Sequence, residues 1–257
     1  MSGNLAFYDA FAEEYRDFYD RPRAEQAVAG WQAVLEEAGL WPRSISRVLD
    51  MGCGPGDHLT AWAARAGEVD GLDGSPAMLE VARASLVANG TMVGQLYCAD
   101  VTAPVTLAPL RDRYSLVAAH FNFLNLFKSD QLAPVLESIQ SVLTPGGFFI
   151  GDMLFDGHRS GWRDALIVED RHIGREWRSL DVRVDASNRA VRRDWLSAGE
   201  HYAETLYIYG RDELIAIARS QGLALAFTAP LSHAVLRTRD GHAPPLESNL
   251  LVLRASA

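Results

Sequence analysis

The chain has 257 residues, 48% of them hydrophobic, and a formal net charge of −9. Length and apolar content suit one α/β domain with a substantial core, while the acidic balance argues against an extended nucleic-acid contact, which needs a basic face. No apolar run reaches membrane-spanning length and no charged start precedes an apolar stretch, so the expected setting is cytoplasmic and away from membranes, with Cys53 and Cys98 unpaired.

In chain order, residues 1–40 predict a helical cover of two helices, rich in Phe7, Tyr8, Phe11, Tyr15 and Trp31. The run Val48 to Gly56, VLDMGCGPG, then joins an apolar strand to a glycine turn, and Asp57 to Ala66 reads as the helix that follows. Glycines admit positive φ and leave no Cβ between backbone and ligand, so such a turn lets amides approach an electron-rich group closely. Its register, with Asp50 before Gly52, Gly54 and Gly56, differs from the G-x-G-x-x-G of a dinucleotide site. Cys53 within it reads as a small packed residue, since no activating partner adjoins it.

A second strand, Val69 to Asp73, ends in an acid about twenty residues on, near the spacing at which a carboxylate meets ribose hydroxyls. Ser75-Pro76 predicts a capped helix carrying Met78, Leu79, Ala82 and Leu86 on one face. A third strand is expected over Met92 to Ala99, ending at Asp100-Val101. A fourth runs from Tyr114 to His120, and the LTPGGFF turn leads to a fifth, Phe149 to Leu154. Asp152, Asp156 and His158 lack the framing of a ligand pattern, so no metal is expected. Residues 175–209 alternate apolar and polar in three runs, which predicts a three-stranded antiparallel insert; the rows containing His201 and Tyr202 must face opposite sides. A helix over Asp212 to Ser220 and strands over Leu223 to Thr228 and Asn249 to Arg254 complete the chain.

These segments are similar, in order, to the signatures of class I S-adenosylmethionine (SAM) dependent methyltransferases: VLDMGCGPGDH to the first, LDGSPAML to the second, the Asp100-Val101 strand end to the third and LTPGGFF to the late turn. The start FYDAFAEEYRDFYDRPR resembles small-molecule N-methyltransferases acting on amino sugars and amino acids. The resemblance implies a single domain over 1–257: a Rossmann-like seven-stranded sheet of order 3-2-1-4-5-7-6, last strand antiparallel, with helices on both faces and the 175–209 insert as a β lid. It implies SAM as cofactor and S-adenosylhomocysteine (SAH) as product. The cofactor contacts implied are Asp50, Gly52, Cys53, Gly54, Gly56, Asp73 at the ribose, Gly74, Met78, Asp100 and Val101 at the adenine, and His120, with Tyr15 and Arg23 at the SAM carboxylate. Some relatives carry a histidine near the position of Leu126; this chain does not.

Methyl transfer from a sulfonium needs mainly a lone pair held in line at a near-attack distance, with a base where the nucleophile carries a proton. Tyr15, His120 and His201 are the candidate catalytic groups. The expected function is methylation of a small molecule, an amine nitrogen before a hydroxyl or carboxyl oxygen, by a monomer or homodimer. A SAM-binding regulatory protein without turnover is the alternative from another class.

Overall fold

Val48 is buried on one side of its strand and Leu49 and Met51 on the other, so the strand must lie between two apolar layers. A computed structural model, which describes residues 3–15, 21–156, 165–173, 176–185, 187–197, 200–231 and 246–256, shows how those layers form. Two N-terminal helices, α1 (Gly3–Tyr15) and α2 (Arg21–Glu37), precede β1 (Ile45–Met51), α3 (Asp57–Ala63), β2 (Ala66–Asp73), α4 (Pro76–Ala88) and β3 (Leu96–Cys98). Then come β4 (Tyr114–Ala119), α5 (Ser129–Val142) and β5 (Leu143–Asp156). Four further strands follow, β6 (Ala165–Ile173), β7 (Glu176–Asp185), β8 (Ala190–Ser197) and β9 (Glu200–Tyr207), before α6 (Arg211–Ser220), β10 (Leu223–Pro230) and β11 (Leu246–Ala255).

The main sheet has seven strands in the order β10-β11-β5-β4-β1-β2-β3. Its neighbours pair in parallel from β3 to β5, while β11 runs antiparallel to both β5 and β10. Counting only these strands, this is the expected 3-2-1-4-5-7-6. On one face Trp31, Leu35, Leu59, Trp62, Leu79 and Leu86, from α2, α3 and α4, pack on Val48, Leu116 and Ile150. On the other, Leu132, Val135, Leu136, Ile139, Leu214 and Ala218, from α5 and α6, pack on Leu49, Val117 and Phe149. The fold is the Rossmann-like methyltransferase fold, whose ligand crevice lies beyond the carboxyl ends of the central strands.

Several boundaries differ from the sequence reading. The helix expected over Asp57 to Ala66 ends at Ala63, β2 begins at Ala66 rather than Val69 and β11 at Leu246 rather than Asn249. Three larger differences have a physical reason. The third strand is confined to Leu96–Cys98: Met92 is exposed, and the Asp70 carboxylate takes the Gln95 N–H, where a strand residue would have extended the ladder. The fifth strand starts at Leu143 because the proline-glycine turn is absorbed as a register shift, Tyr114 pairing with Leu143 and Leu116 with Phe148, with Gly146 at φ 74°. The small antiparallel sheet has four strands, in the order β6-β7-β8-β9. Its additional strand, Ala165–Ile173, lies before the expected insert. In β9 the even-numbered Glu204 and Leu206 are buried, as is Ile208 just beyond it, and Leu206 and Ile208 pack with Phe7 and Phe11 of α1.

Candidate active site

At the end of β1 the chain turns through Gly52 (φ 75°) and Gly54 (φ 51°). A Cβ at Gly52 would lie 2.6 Å from the Phe123 ring, so both the backbone angle and the neighbour demand glycine. At Gly54 a Cβ would meet nothing within 4 Å, and that open space belongs to a cavity of about 250 Å³ that Gly54 lines. The Gly54 N–H donates to Asp73 Oδ2 at 2.9 Å and the Ser75 N–H to Oδ1 at 2.8 Å, which fixes the carboxylate at the end of β2. Ser75 caps α4 by accepting from the Met78 N–H, and its hydroxyl donates to Asp9 of α1 at 2.6 Å, joining the helical segment to the loop.

Across the cavity, the segment after β4 holds consecutive residues, Phe121 and Asn122, in the left-handed region at φ 59°. Such geometry is costly for residues with a Cβ and persists only where neighbours over-determine it. Here the Asn122 N–H donates to the Asp152 carboxylate at 2.9 Å, and fully buried Asn125 bonds Leu154 through both its amide groups and Tyr207 O through its nitrogen. Tyr209 donates to Phe127 O at 2.6 Å. These bonds hold Phe121, Phe123, Leu126 and Phe127 as an aromatic and apolar wall. The N-terminal helix adds Asn4, Leu5, Tyr8 and Tyr15, and the Tyr8 hydroxyl donates to the buried Glu204 of β9, itself ion-paired to Arg193.

Behind the glycine turn, His120 lies between Trp31, stacked at 4.1 Å between ring centroids, and His58, stacked at 3.7 Å. Trp62 donates its indole N–H to His120 Nε2 at 3.1 Å. An acceptor Nε2 means that the neutral ring carries its proton on Nδ1. Burial lowers both imidazoles, His58 to about 3 and His120 well below its usual range, the latter further through its stacked partner. Asp50 is 1% exposed, and neither of its carboxyl oxygens has a hydrogen-bond partner. Burial, then the Asp73 charge, pushes it up to about 8, so it holds its proton at neutral pH.

A family model described as "Methyltransferase domain" matches residues 48–147, the stretch from β1 to the start of β5 that carries the glycine turn, Asp73 and Asp100. The chain is an S-adenosylmethionine-dependent methyltransferase. It is 28% identical over 193 residues to the malonyl-[acyl-carrier protein] O-methyltransferase of Enterobacter lignolyticus, spanning 72% of this chain and 67% of that relative. Among solved structures it resembles the CcbJ methyltransferase of Streptomyces caelestis (23% identity, 98% of each chain, TM-score 0.70). It also resembles SAM-bound CalS10, an amino pentose methyltransferase of Micromonospora echinaspora (21% identity, 96% of this chain and 97% of that one, TM-score 0.65). At such identities the structural likeness is one of fold.

SAM is the methyl donor of this methyltransferase, and the cavity's donor set fits it: an anchored carboxylate at Asp73, a second at Asp100, the open glycine at Gly54 and the apolar Met78 and Val101. Of the residues expected at the cofactor or in catalysis, Tyr15, Gly52, Cys53, Gly54, Asp73, Gly74, Met78, Asp100, Val101 and His120 line the cavity. Asp50 and Gly56 are buried beside the turn and outside the lining. Arg23 is exposed on α2 and His201 exposed on β9, and neither lines it. The Asp100 carboxylate accepts from both the N–H and hydroxyl of Thr102. Cys53 is buried and its thiol pushed well up, as an unreactive packed residue requires. Among the described residues no metal-binding group of side chains occurs; His158 lies outside them. No helix of the described residues is long and apolar enough to cross a membrane. His58, Tyr8, Asn4 and Phe121 line the cavity although the sequence reading gave none of them a role at the site. His58 carried the one available signal, a polar residue beside Leu59 in a helix whose Leu59, Ala61 and Trp62 pack inward.

Proposed function

We propose that this methyltransferase transfers its methyl group to an amine nitrogen of a small molecule. The observation that carries the proposal is charge: the cavity lining holds Asp57, Asp73 and Asp100 and, among the described residues, neither lysine nor arginine. An anionic acceptor would enter against that field, while a cationic amine is drawn into it. The similar CalS10 is an amino pentose methyltransferase, which supports an amine-bearing acceptor. The second reading, a carboxyl oxygen, has the malonyl-carrier O-methyltransferase likeness behind it, but a carboxylate acceptor would need the compensating cation that the described lining lacks.

SAM supplies an electrophilic methyl on a sulfonium. In this proposal Asp73 holds the ribose hydroxyls, and Asp100 with the Val101 backbone holds the adenine end. The aromatic wall of Tyr8, Tyr15, Phe121 and Phe127 shapes the acceptor's space and excludes water. Catalysis is then chiefly positioning. His120 is ill suited to take a proton, because its Nε2 lone pair is occupied by Trp62 and its other nitrogen already carries hydrogen. His201 stands outside the cavity. Tyr15 remains at the wall, and loss of the amine proton to water before attack is the simplest route. Labelled SAM offered to small amines and to the matching alcohols and carboxylic acids tests the assignment: label is expected on nitrogen, and label confined to oxygen would refute it.

A further inference from the structure

The resemblance implies Tyr15 and Arg23 at the SAM carboxylate, yet only Tyr15 lines the cavity. Arg23 is exposed on α2, and no described arginine or lysine takes its place. The ammonium of SAM has carboxylates at hand, such as Asp57, whereas its carboxylate lacks a described cation. His58 is 5% exposed, lines the cavity, and its Nε2 is enclosed without a hydrogen-bond partner. An orphaned buried N–H is rarer and costlier than an orphaned lone pair, so the enclosed Nε2 is the bare nitrogen and the proton sits on Nδ1. Stacked on His120, with Phe121 edge-on at 5.0 Å, the ring has little freedom to turn.

We infer that His58 is a neutral anchor for the carboxylate of SAM, donating a hydrogen bond from Nδ1–H. A neutral donor also adds no positive charge to a site that receives a sulfonium, which a protonated imidazole would repel. The inference rests on adenosine being seated at Asp73 and Asp100, and its test separates the two.

Calorimetry on the full chain compares SAM, SAH, decarboxylated SAM and 5′-methylthioadenosine, which share the adenosine. Wild type should prefer SAM over decarboxylated SAM. His58→Phe, which keeps a stacking ring and removes the donor, should weaken SAM and SAH about ten- to a hundredfold and leave the other ligands unchanged. His58→Asn, whose amide N–H stands where Nδ1–H stood, should recover most of the loss. Equal weakening of all four ligands by His58→Phe, or none, overturns the inference. So does a wild type that binds decarboxylated SAM as tightly as SAM, a result that stands even where the variants fail to fold. Failure of 5′-methylthioadenosine to bind wild type would instead remove the adenosine seating on which the inference rests.

Discussion

At the scale of single residues, two acids at the ends of the paired strands β1 and β2 behave as different chemical objects. Asp73 is held by backbone N–H groups that favour its charge, while burial opposes it and leaves it raised; Asp50, enclosed without partners, keeps its proton up to about 8. Asp73→Asn should lower SAM affinity by one to two decades, the typical loss for hydrogen bonds to a charged group, and calorimetry showing unchanged affinity would remove it from the ribose. For Asp50 the expectation is a pH effect on stability. Its folded pKa lies above the unfolded value of 3.8, so the native state binds the extra proton, and stability present below about pH 4 is lost as pH rises towards 8, at up to about 1.4 kcal/mol per unit. Asp50→Asn mimics the protonated acid; melting of the ligand-free chain should show the variant gaining on wild type steadily from pH 5 to 8. A constant difference would mean that Asp50 is ionised in the fold.

At the scale of elements, the N-terminal helix is held to the small sheet by few polar bonds of high consequence. Asn4 donates to Leu126 O and Thr205 O, each at 2.9 Å, and accepts from the Thr205 N–H at 2.8 Å. It thereby ties α1 at once to β9 and to the loop that forms the aromatic wall. Asn4→Ala would orphan these backbone groups at about 1–3 kcal/mol, a fall in Tm of several degrees for a chain of this size, and should weaken SAM binding because Leu5 and Tyr8 lose their placement. A variant that melts with wild type would show that Phe7 and Phe11, packed on Leu206 and Ile208, hold the helix unaided. The order of elements was legible because each strand and helix announces itself locally: the apolar run at the end of β1, the Ser75-Pro76 start of α4, the glycine after α6. The strand β6 was not, since pairing with β7 is a property of two segments and leaves no period in either alone.

At the scale of the whole molecule, buried ionisable groups shape the response to acid. His58 and His120 are neutral in the fold below the pH at which the unfolded chain protonates them, near 6.5. Stability is therefore complete above about pH 6.5 and declines as pH falls, for His58 until about pH 3. Asp50 acts in the opposite sense above pH 4, so these groups together predict greatest stability of the ligand-free chain near pH 6.5. His58→Phe should flatten the acid limb by one proton; an unchanged slope between pH 4 and 6 would show that His58 already protonates within the fold.

The sequence by itself determined the strand and helix order and the place of the glycine turn. Through the likeness its motifs carry, it also pointed to SAM and to methyl transfer, because glycine at Gly52 and acids at Asp73 and Asp100 state their backbone and chemical needs locally. Tertiary structure alone decided which of the named side chains share a cavity. It set Arg23 and His201 at the surface, brought Tyr8 against Glu204 from 196 positions away, and stacked His58 on His120 with Trp62 closing its acceptor nitrogen. Such contacts depend on how layers pack, and packing brings together residues that no local period relates.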